Sequence, residues 1–166
     1  MVDRTARSGY TAAAGRRRSV TVRPSGGEPS ARGIIRAMPP IDELTRIEPV
    51  HLDRLDHQGI FTTGLLLEVS ETPTRRQTLA DQVGATTNDV LMWRDEALML
   101  NLASFGPDEH YMMIQARIEG LRDILRLPLD DFNARIRQGA RELELAPPSD
   151  LTIEGWWDQA KTLEDE

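Results

Sequence analysis

The chain has no cysteine, and this absence excludes disulfide bonds, thiolate zinc sites and cysteine nucleophiles. Histidine, the side chain that most often transfers protons near neutral pH, occurs three times. No phosphate-loop, dinucleotide-binding, serine-hydrolase or zinc-protease motif occurs. These absences predict a protein that is not an enzyme and that holds no cofactor or metal.

Long apolar runs are also absent. No segment reaches the roughly 20 apolar residues that span a bilayer, so no transmembrane segment is expected. Arg16, Arg17 and Arg18 are not followed by the apolar run of a secretory signal. An organellar transit peptide stays open, because such peptides are rich in arginine and serine and poor in acidic residues. We expect a cytoplasmic protein, since a reducing compartment suits a chain without cysteine.

The N-terminal part of the chain has few acidic residues, and the rest of the chain has few basic residues relative to acidic ones. Residues 1–38 contain eight arginines and two acidic residues, whereas residues 39–166 contain 12 basic and 25 acidic residues. The formal charge of −7 therefore combines a basic N-terminal arm with an acidic body. The arm has almost no apolar periodicity to offset the entropy of ordering. We expect residues 1–38 to be disordered alone or ordered by a partner, and residues 39–166 to form one domain.

Strand patterning is nearly absent from the body, where proline, glycine and threonine mark helix ends at short intervals. Thr86 and Asp89 resemble a capping box. Helix starts are predicted after Pro39 and Pro40, at Pro49, Thr62 or Thr63, Pro73, Thr86, Pro107, Pro128, and Ser149 or Thr152. The body is therefore predicted to be an all-α, compact bundle of about nine short helices.

Two stretches of the body share an apolar pattern at a constant offset of 58 residues. Five of the six matched pairs are apolar on both sides. The first stretch has Leu44, Ile47, Leu52, Leu55, Ile60 and Leu66, and the second has Leu102, Phe105, His110, Met113, Ile118 and Ile124. Each stretch has the spacing of a helix, a tight hairpin and a second helix. The pattern predicts two degenerate helix-hairpin-helix units.

Residues 79–102, LADQVGATTNDVLMWRDEALMLNL, lie between these hairpins and are followed by a C-terminal WxxxAKxL helix. In this arrangement the chain resembles, over roughly residues 41–163, a bacterial family known as domain of unknown function 4332. The resemblance implies paired helix-hairpin-helix units joined by a helical spacer, and it brings no established activity. It also invites nucleic-acid binding, because related hairpins donate backbone N–H groups to phosphates through a Gly-apolar-Gly turn.

The two hairpin turns depart from that pattern. The first turn is Arg46, Ile47 and Glu48, which contains neither glycine, and the second is Ser104, Phe105 and Gly106, which contains one. Glycine matters here because it lets the backbone approach a phosphate closely. Acidic residues lie at or just after both turns and would repel a phosphate. We therefore predict that the hairpins are packing units and do not bind duplex DNA.

The strongest interaction signal is the arginine run of the arm, Arg16, Arg17 and Arg18, with Arg23 close behind. Three interpretations are open: a solvated tail, a segment that docks on an acidic protein surface, and a segment that contacts nucleic-acid phosphates. The acidic body of a second copy of the chain is one such protein surface.

Two adjacent tryptophans, Trp156 and Trp157, are candidates for partner binding. Neighbouring helical residues point about 100° apart, so both are buried only if the helix is covered on two sides. We favour burial of both over exposure of one as a partner anchor.

Histidines give a weaker signal. His51, Asp53, Asp56 and His57 lie on one predicted helix, where a solvated acid and histidine pair is favoured over a metal site. His110 is predicted to be a half-buried packing residue.

Together these features predict a non-enzymatic structural or adaptor subunit of a larger protein assembly. Its partners would be proteins, with copies of itself among the candidates. The alternative is a nucleic-acid-associated protein that contacts nucleic acid through the arm only. A small enzyme is a third reading, but the sequence announces no pocket for it.

Overall fold

Residues 38–164 are the part of the chain that the computed structural model describes. Between these residues the chain forms eight α-helices, one 3₁₀ turn at Ile41–Glu43 and no β-strand. In chain order the helices are α1 (Pro49–His57), α2 (Thr63–Val69), α3 (Pro73–Val83), α4 (Thr87–Leu100), α5 (Pro107–Gln115), α6 (Leu121–Leu125), α7 (Leu129–Glu142) and α8 (Asp150–Glu164). The predicted all-α class is confirmed. The division into an arm and a domain stays a prediction, because residues 1–37 lie outside the described part.

Local sequence signals set the helix starts. The Thr62 hydroxyl accepts a hydrogen bond from the Leu65 N–H, and the Thr72 hydroxyl accepts one from the Arg75 N–H. The capping box at α4 is present, with the Thr86 side chain bound to the Asp89 N–H and the Asp89 carboxylate bound to the Thr86 N–H, both at 3.0 Å. These caps satisfy N–H groups that the first turn of a helix leaves without partners.

The helix predicted after Pro39 and Pro40 is shorter than expected. Helical geometry is confined to the 3₁₀ turn Ile41–Glu43, and Leu44 is already extended. The segment before the turn pairs with the entry to α2, because the Ile41 N–H donates to the Phe61 carbonyl at 2.9 Å and the Thr63 N–H donates to the Pro39 carbonyl at 2.9 Å. This long-range pairing holds the backbone extended and leaves no room for a regular helix.

The second half of the described chain (residues 101–164, with α5–α8) repeats the first half (residues 41–100, with α1–α4). Helices α1 and α5 are both nine residues long and start at prolines 58 positions apart. Helices α2 and α6 also start 58 positions apart. In each half the fourth helix packs against the second and third. The duplication is therefore longer than the sequence pattern predicted.

The fourth helices correspond at an offset of 63. Val90, Trp93 and Ala97 on α4 are buried, and so are their counterparts on α8, which are Ile153, Trp156 and Ala160. The six residue pairs of the 58-residue offset are likewise buried or half-buried on both sides, as predicted. The two halves share one apolar core, and α4 joins them by packing on α6 as well.

None of the helices within residues 38–164 combines the length and the hydropathy that a bilayer crossing requires.

Candidate functional site

The first hairpin turn is closed by a carboxylate from α4. The backbone N–H groups of Thr45 and Arg46 donate to Glu96 Oε1 at 2.9 and 3.2 Å. The Thr45 hydroxyl donates to Glu96 Oε2 at 2.6 Å. Successive backbone N–H groups that point into one concavity are the usual cradle for an anion. In this turn the anion is the protein's own glutamate.

Glu96 lies in the core, with 1% of its surface exposed. Burial by itself raises the pKa of the Glu96 carboxyl, but hydrogen bonds from His110, Thr45 and Arg46 outweigh burial and hold that pKa below its ordinary value. His110 Nε2 on α5 lies 3.3 Å from Glu96 Oε2. Glu96 is therefore ionised at neutral pH and contacts both halves of the molecule.

At the predicted second hairpin turn, a neutral glutamine from α8 takes the place that Glu96 has at the first turn. Gln159 on α8, which occupies the position of Glu96 at the offset of 63, accepts a hydrogen bond from the Ala103 N–H at 3.1 Å. The Gly106 N–H donates to Glu109 Oε1 at 2.7 Å. Ser104 between them adopts a left-handed backbone with a φ of 61°. Of these two donors the Gly106 N–H belongs to the turn itself, and Glu109 takes it in place of a bound phosphate.

The occupied turns favour the interpretation of the hairpins as packing units. A phosphate at the first turn would have to displace a buried carboxylate that accepts three hydrogen bonds from Thr45 and Arg46. At the second turn it would meet the exposed carboxylate of Asp108 and the half-buried one of Glu109. Like charges at such short range are strongly unfavourable.

Arg46 turns toward the second half of the molecule instead of toward a ligand. Its Nη1 donates to the Glu119 carbonyl at 3.2 Å and lies 3.5 Å from Asp95 Oδ2. The other oxygen of Asp95 accepts from the Arg122 N–H at 2.9 Å, at the start of α6. Asp95 thus completes a helix start whose N-cap, Gly120, has no side chain. The first turn is part of the junction between the halves.

The adjacent tryptophans differ in exposure. Trp156 is 1% exposed, stacks edge-on against Phe105 at 5.5 Å, and donates to the Ala103 carbonyl at 2.8 Å. Its predicted burial is confirmed, and for that reason it offers a partner no surface. Trp157 is half-buried and donates to the Leu127 carbonyl at 2.9 Å. Lys161 Nζ lies 4.2 Å from the centre of its ring.

Trp157 has a structural counterpart in Arg94, 63 positions earlier. Arg94 Nη1 donates to the Leu67 carbonyl at 2.8 Å near the end of α2, as Trp157 Nε1 does to the Leu127 carbonyl just after α6. Arg94 satisfies a carbonyl group that the last turn of α2 leaves without a helical partner, and Trp157 satisfies one just beyond the end of α6. Trp157 therefore contacts the chain just after α6 through its indole N–H, and part of its ring remains exposed.

The histidine and aspartate group on α1 is an exposed pair. His57 Nδ1 lies 2.9 Å from the Asp53 carbonyl oxygen and 3.6 Å from Asp53 Oδ2. The hydrogen bond to that carbonyl, and then the charge of Asp53, hold the pKa of His57 above its ordinary value. His51 instead lies against Trp93, with 5.4 Å between ring centres. Within residues 38–164 no three side chains of the metal-binding types converge.

His110 is more deeply buried than the predicted half-buried position, with 7% of its surface exposed. The reason is its contact with Glu96, which draws the imidazole into the core. Of the other predicted turn residues, Phe105 is buried, Ile47 is half-buried and Glu48 is exposed.

The arginines of the arm, Arg16, Arg17, Arg18 and Arg23, lie outside the described residues. Their predicted role in partner binding stays a prediction.

Sequence reasoning missed Glu96 and Gln159. A signal was present, because Glu96 lies three residues after Trp93 and four before Leu100, on the apolar face of α4. A charge on an apolar face needs an internal partner.

A family model described as Domain of unknown function (DUF4332) matches residues 45–163. No curated protein and no solved structure matches the chain significantly.

Proposed function

This chain belongs to the DUF4332 family of domains of unknown function, and we propose that it is a non-enzymatic structural or adaptor subunit of a larger protein assembly. In this proposal the body consists of two degenerate helix-hairpin-helix units that serve as a packing scaffold. The arginine-rich arm docks on acidic protein surfaces, which include the bodies of other copies, in the cytoplasm.

The observation that carries the proposal is the closure of the first hairpin by Glu96. The Arg46 N–H, which belongs to the turn that would face a phosphate in a nucleic-acid-binding hairpin, donates to a buried carboxylate, and so does the preceding Thr45 N–H. The turn contributes to the internal junction through Arg46 and Glu119. A hairpin used in this way supports a scaffold in preference to a nucleic-acid reader.

The charge distribution supports docking through the arm. Residues 1–38 carry eight arginines, and the body carries 25 acidic residues. Arginine presents a planar, forked set of donors that suits carboxylates. Such pairs are screened by salt when exposed, with a Debye length of about 8 Å at 0.15 M.

The proposal is tested by purifying the tagged full-length chain from its native host and identifying the proteins that accompany it. Replacing Arg16, Arg17 and Arg18 with alanine should release the chain from its assembly, and moderate salt should do the same. Replacing the three with lysine should weaken docking although the charge is kept.

Co-purification of the triple-alanine variant with the same partners at the same salt would remove the arm from the docking mechanism. Trp157, whose ring is half-buried, would then be the next residue to replace, with Trp156 avoided because it is buried.

The second candidate function, nucleic-acid association through the arm, is favoured by the arginine run alone. It predicts that nuclease treatment releases the partners and that the lysine variant keeps part of its binding, since lysine also neutralises phosphates. Salt-dependent DNA binding by the full chain, lost from residues 39–166, would select it.

A further inference from the structure

A groove on the first half of the body has an apolar floor and an exposed aromatic side chain. It has a volume of about 440 Å³, and its lining includes Pro49, Leu52 and Phe61. Phe61 is 55% exposed, although its carbonyl is fixed by the hydrogen bond from the Ile41 N–H. A held backbone that presents an exposed aromatic side chain is a common form of docking anchor.

The rim of the groove is acidic. Asp42, Asp53 and Asp56 line it and are all exposed, and no basic side chain lines it. His57 lies 3.6 Å from Asp53 and offsets part of this charge when protonated. Arg54, on the same helix, donates to the Val83 carbonyl and so does not neutralise the rim. The groove is therefore complementary to a cationic segment that also carries apolar side chains.

We propose that this groove receives residues 16–23 of a second copy of the chain. The segment has the sequence RRRSVTVR, which combines four arginines with two valines. Val20 and Val22 are two positions apart, so an extended backbone would direct both toward the apolar floor. The arginines would face the carboxylates, and a guanidinium would stack on Phe61. This inference rests on the proposed function, because it names the acidic surface on which the arm docks.

Charge on a larger scale favours the same pairing. The body, with 25 acidic and 12 basic residues, attracts a segment that carries four arginines and no acid. The contact joins two different surfaces of the chain. Reciprocal exchange of arms between two copies closes a two-fold dimer, whereas one-way contacts produce rings or open chains of subunits.

The direct test is a titration of a labelled synthetic peptide of residues 15–23 with the full-length chain, followed by fluorescence anisotropy at 0.15 M salt. We expect saturable binding. The double variant Asp53→Asn with Asp56→Asn should weaken it about fivefold, the size expected for the loss of two exposed charge pairs. Phe61→Ala should weaken it about threefold through the lost cation–π contact.

A matched control removes the same charge elsewhere. Glu154→Gln with Asp158→Asn changes two exposed carboxylates on α8, which packs on α6 and α7. This pair should leave peptide binding within about twofold of the wild type. Equal weakening by both double variants would mean general charge attraction and would overturn the proposal. A lysine-substituted peptide that binds as well as the arginine peptide would overturn the stacking on Phe61.

Sedimentation velocity of the full-length chain gives the second measurement. Self-association should increase with concentration, decrease with salt and be about fivefold weaker in the Asp53→Asn, Asp56→Asn variant. If the groove variants alter neither association nor peptide binding while the Arg16, Arg17 and Arg18 triple-alanine variant still leaves its assembly, the groove is wrong and the proposed function stands. If the groove variants weaken peptide binding as expected but the triple-alanine variant stays in its assembly, the proposed function is wrong instead.

Discussion

At the scale of single residues, the first hairpin turn depends most directly on Glu96. Replacing Glu96 with alanine leaves two backbone N–H groups and the Thr45 hydroxyl without an acceptor. A hydrogen bond to a charged acceptor contributes about 1.5–3 kcal/mol, and water can reach the exposed Thr45 in the variant, so we expect the free energy of unfolding to fall by about 3 kcal/mol in total. Urea denaturation followed by far-UV circular dichroism measures this change.

Two further variants serve as controls for that loss. Glu96→Gln keeps an acceptor oxygen and reproduces the side chain found at Gln159, so its cost should be smaller, about 1–2 kcal/mol. Gln159→Ala removes one hydrogen bond to the Ala103 N–H and should cost about 1 kcal/mol. A Glu96→Ala loss no larger than the Gln159→Ala loss would contradict the role given to the carboxylate.

Glu96 also predicts a dependence of stability on acid. Its pKa in the folded protein lies below its ordinary value of 4.5, so the ionised form adds stability at neutral pH. That contribution is lost as the pH falls through the folded-state pKa, because the unfolded chain takes up the proton first. The difference in unfolding free energy between wild type and Glu96→Gln should shrink between about pH 5 and pH 3.

Urea titrations at several pH values within this interval provide the measurement. A difference that stays constant from pH 5 to pH 3 would show that Glu96 has the same pKa in the folded and unfolded chain, and a difference that grows as the pH falls would show that folding raises that pKa.

At the scale of helices, two glycines inside helices predict opposite effects. In α7, a Cβ added at Gly139 would lie 2.8 Å from the Met112 carbonyl oxygen of α5. In α8, a Cβ at Gly155 would meet no atom within 4 Å. Alanine favours helix by about 1 kcal/mol over glycine. Gly155→Ala should therefore stabilise the protein by about 0.5–1 kcal/mol, whereas Gly139→Ala should destabilise it by about 1–3 kcal/mol.

Thermal denaturation of the two variants side by side tests the close approach of α5 and α7. If Gly139→Ala raises the melting temperature as Gly155→Ala does, the two helices are further apart than described.

Most helix starts could be predicted because their signals are local. Thr62, Thr72 and Thr86 satisfy N–H groups within three residues of themselves, so the sequence alone contains both partners. The missing first helix had a different cause, since the pairing of Ile41 with Phe61 is set by residues 20 positions away. The role of Glu96 likewise depends on donors about 50 positions away.

At the scale of the whole molecule, a comparison of the sequence with itself at a constant spacing of 58 residues could not show how far the duplication extends. Helix α6 is two residues shorter than α2, α7 is three residues longer than α3, and the loop after α7 is four residues longer than the loop after α3. The offset therefore changes from 58 at α2 and α6 to 63 at α4 and α8. A pattern sought at a constant offset therefore ends before the fourth helices. In the folded chain Trp93 on α4 and Trp156 on α8 are both buried, and this common position identifies them as counterparts.

The core described within residues 38–164 predicts that this part of the chain folds without the arm. Its caps and apolar periodicity agree throughout, which is the mark of a sequence that specifies one structure. Deleting residues 1–37 should leave a single cooperative transition and change the melting temperature by less than about 2 °C, a shift below about 0.5 kcal/mol for a domain of this size. Differential scanning calorimetry of both chains gives the comparison.

A loss of helicity, or a melting temperature lower by more than several degrees, would mean that the arm is part of the folded domain.

Because Glu96 binds the N–H groups of the first turn, any free anion has to compete with it for those groups. A group on the same scaffold as its binding site acts at an effective concentration that reaches the millimolar range on flexible linkers and rises much further when the placement is rigid. Glu96 is held rigidly on α4 and reaches the Thr45 N–H without any loss of translational freedom. A free phosphate that bound these N–H groups would lose translational freedom that Glu96 does not lose, so it competes at a disadvantage set by the rigid placement of the carboxylate on α4.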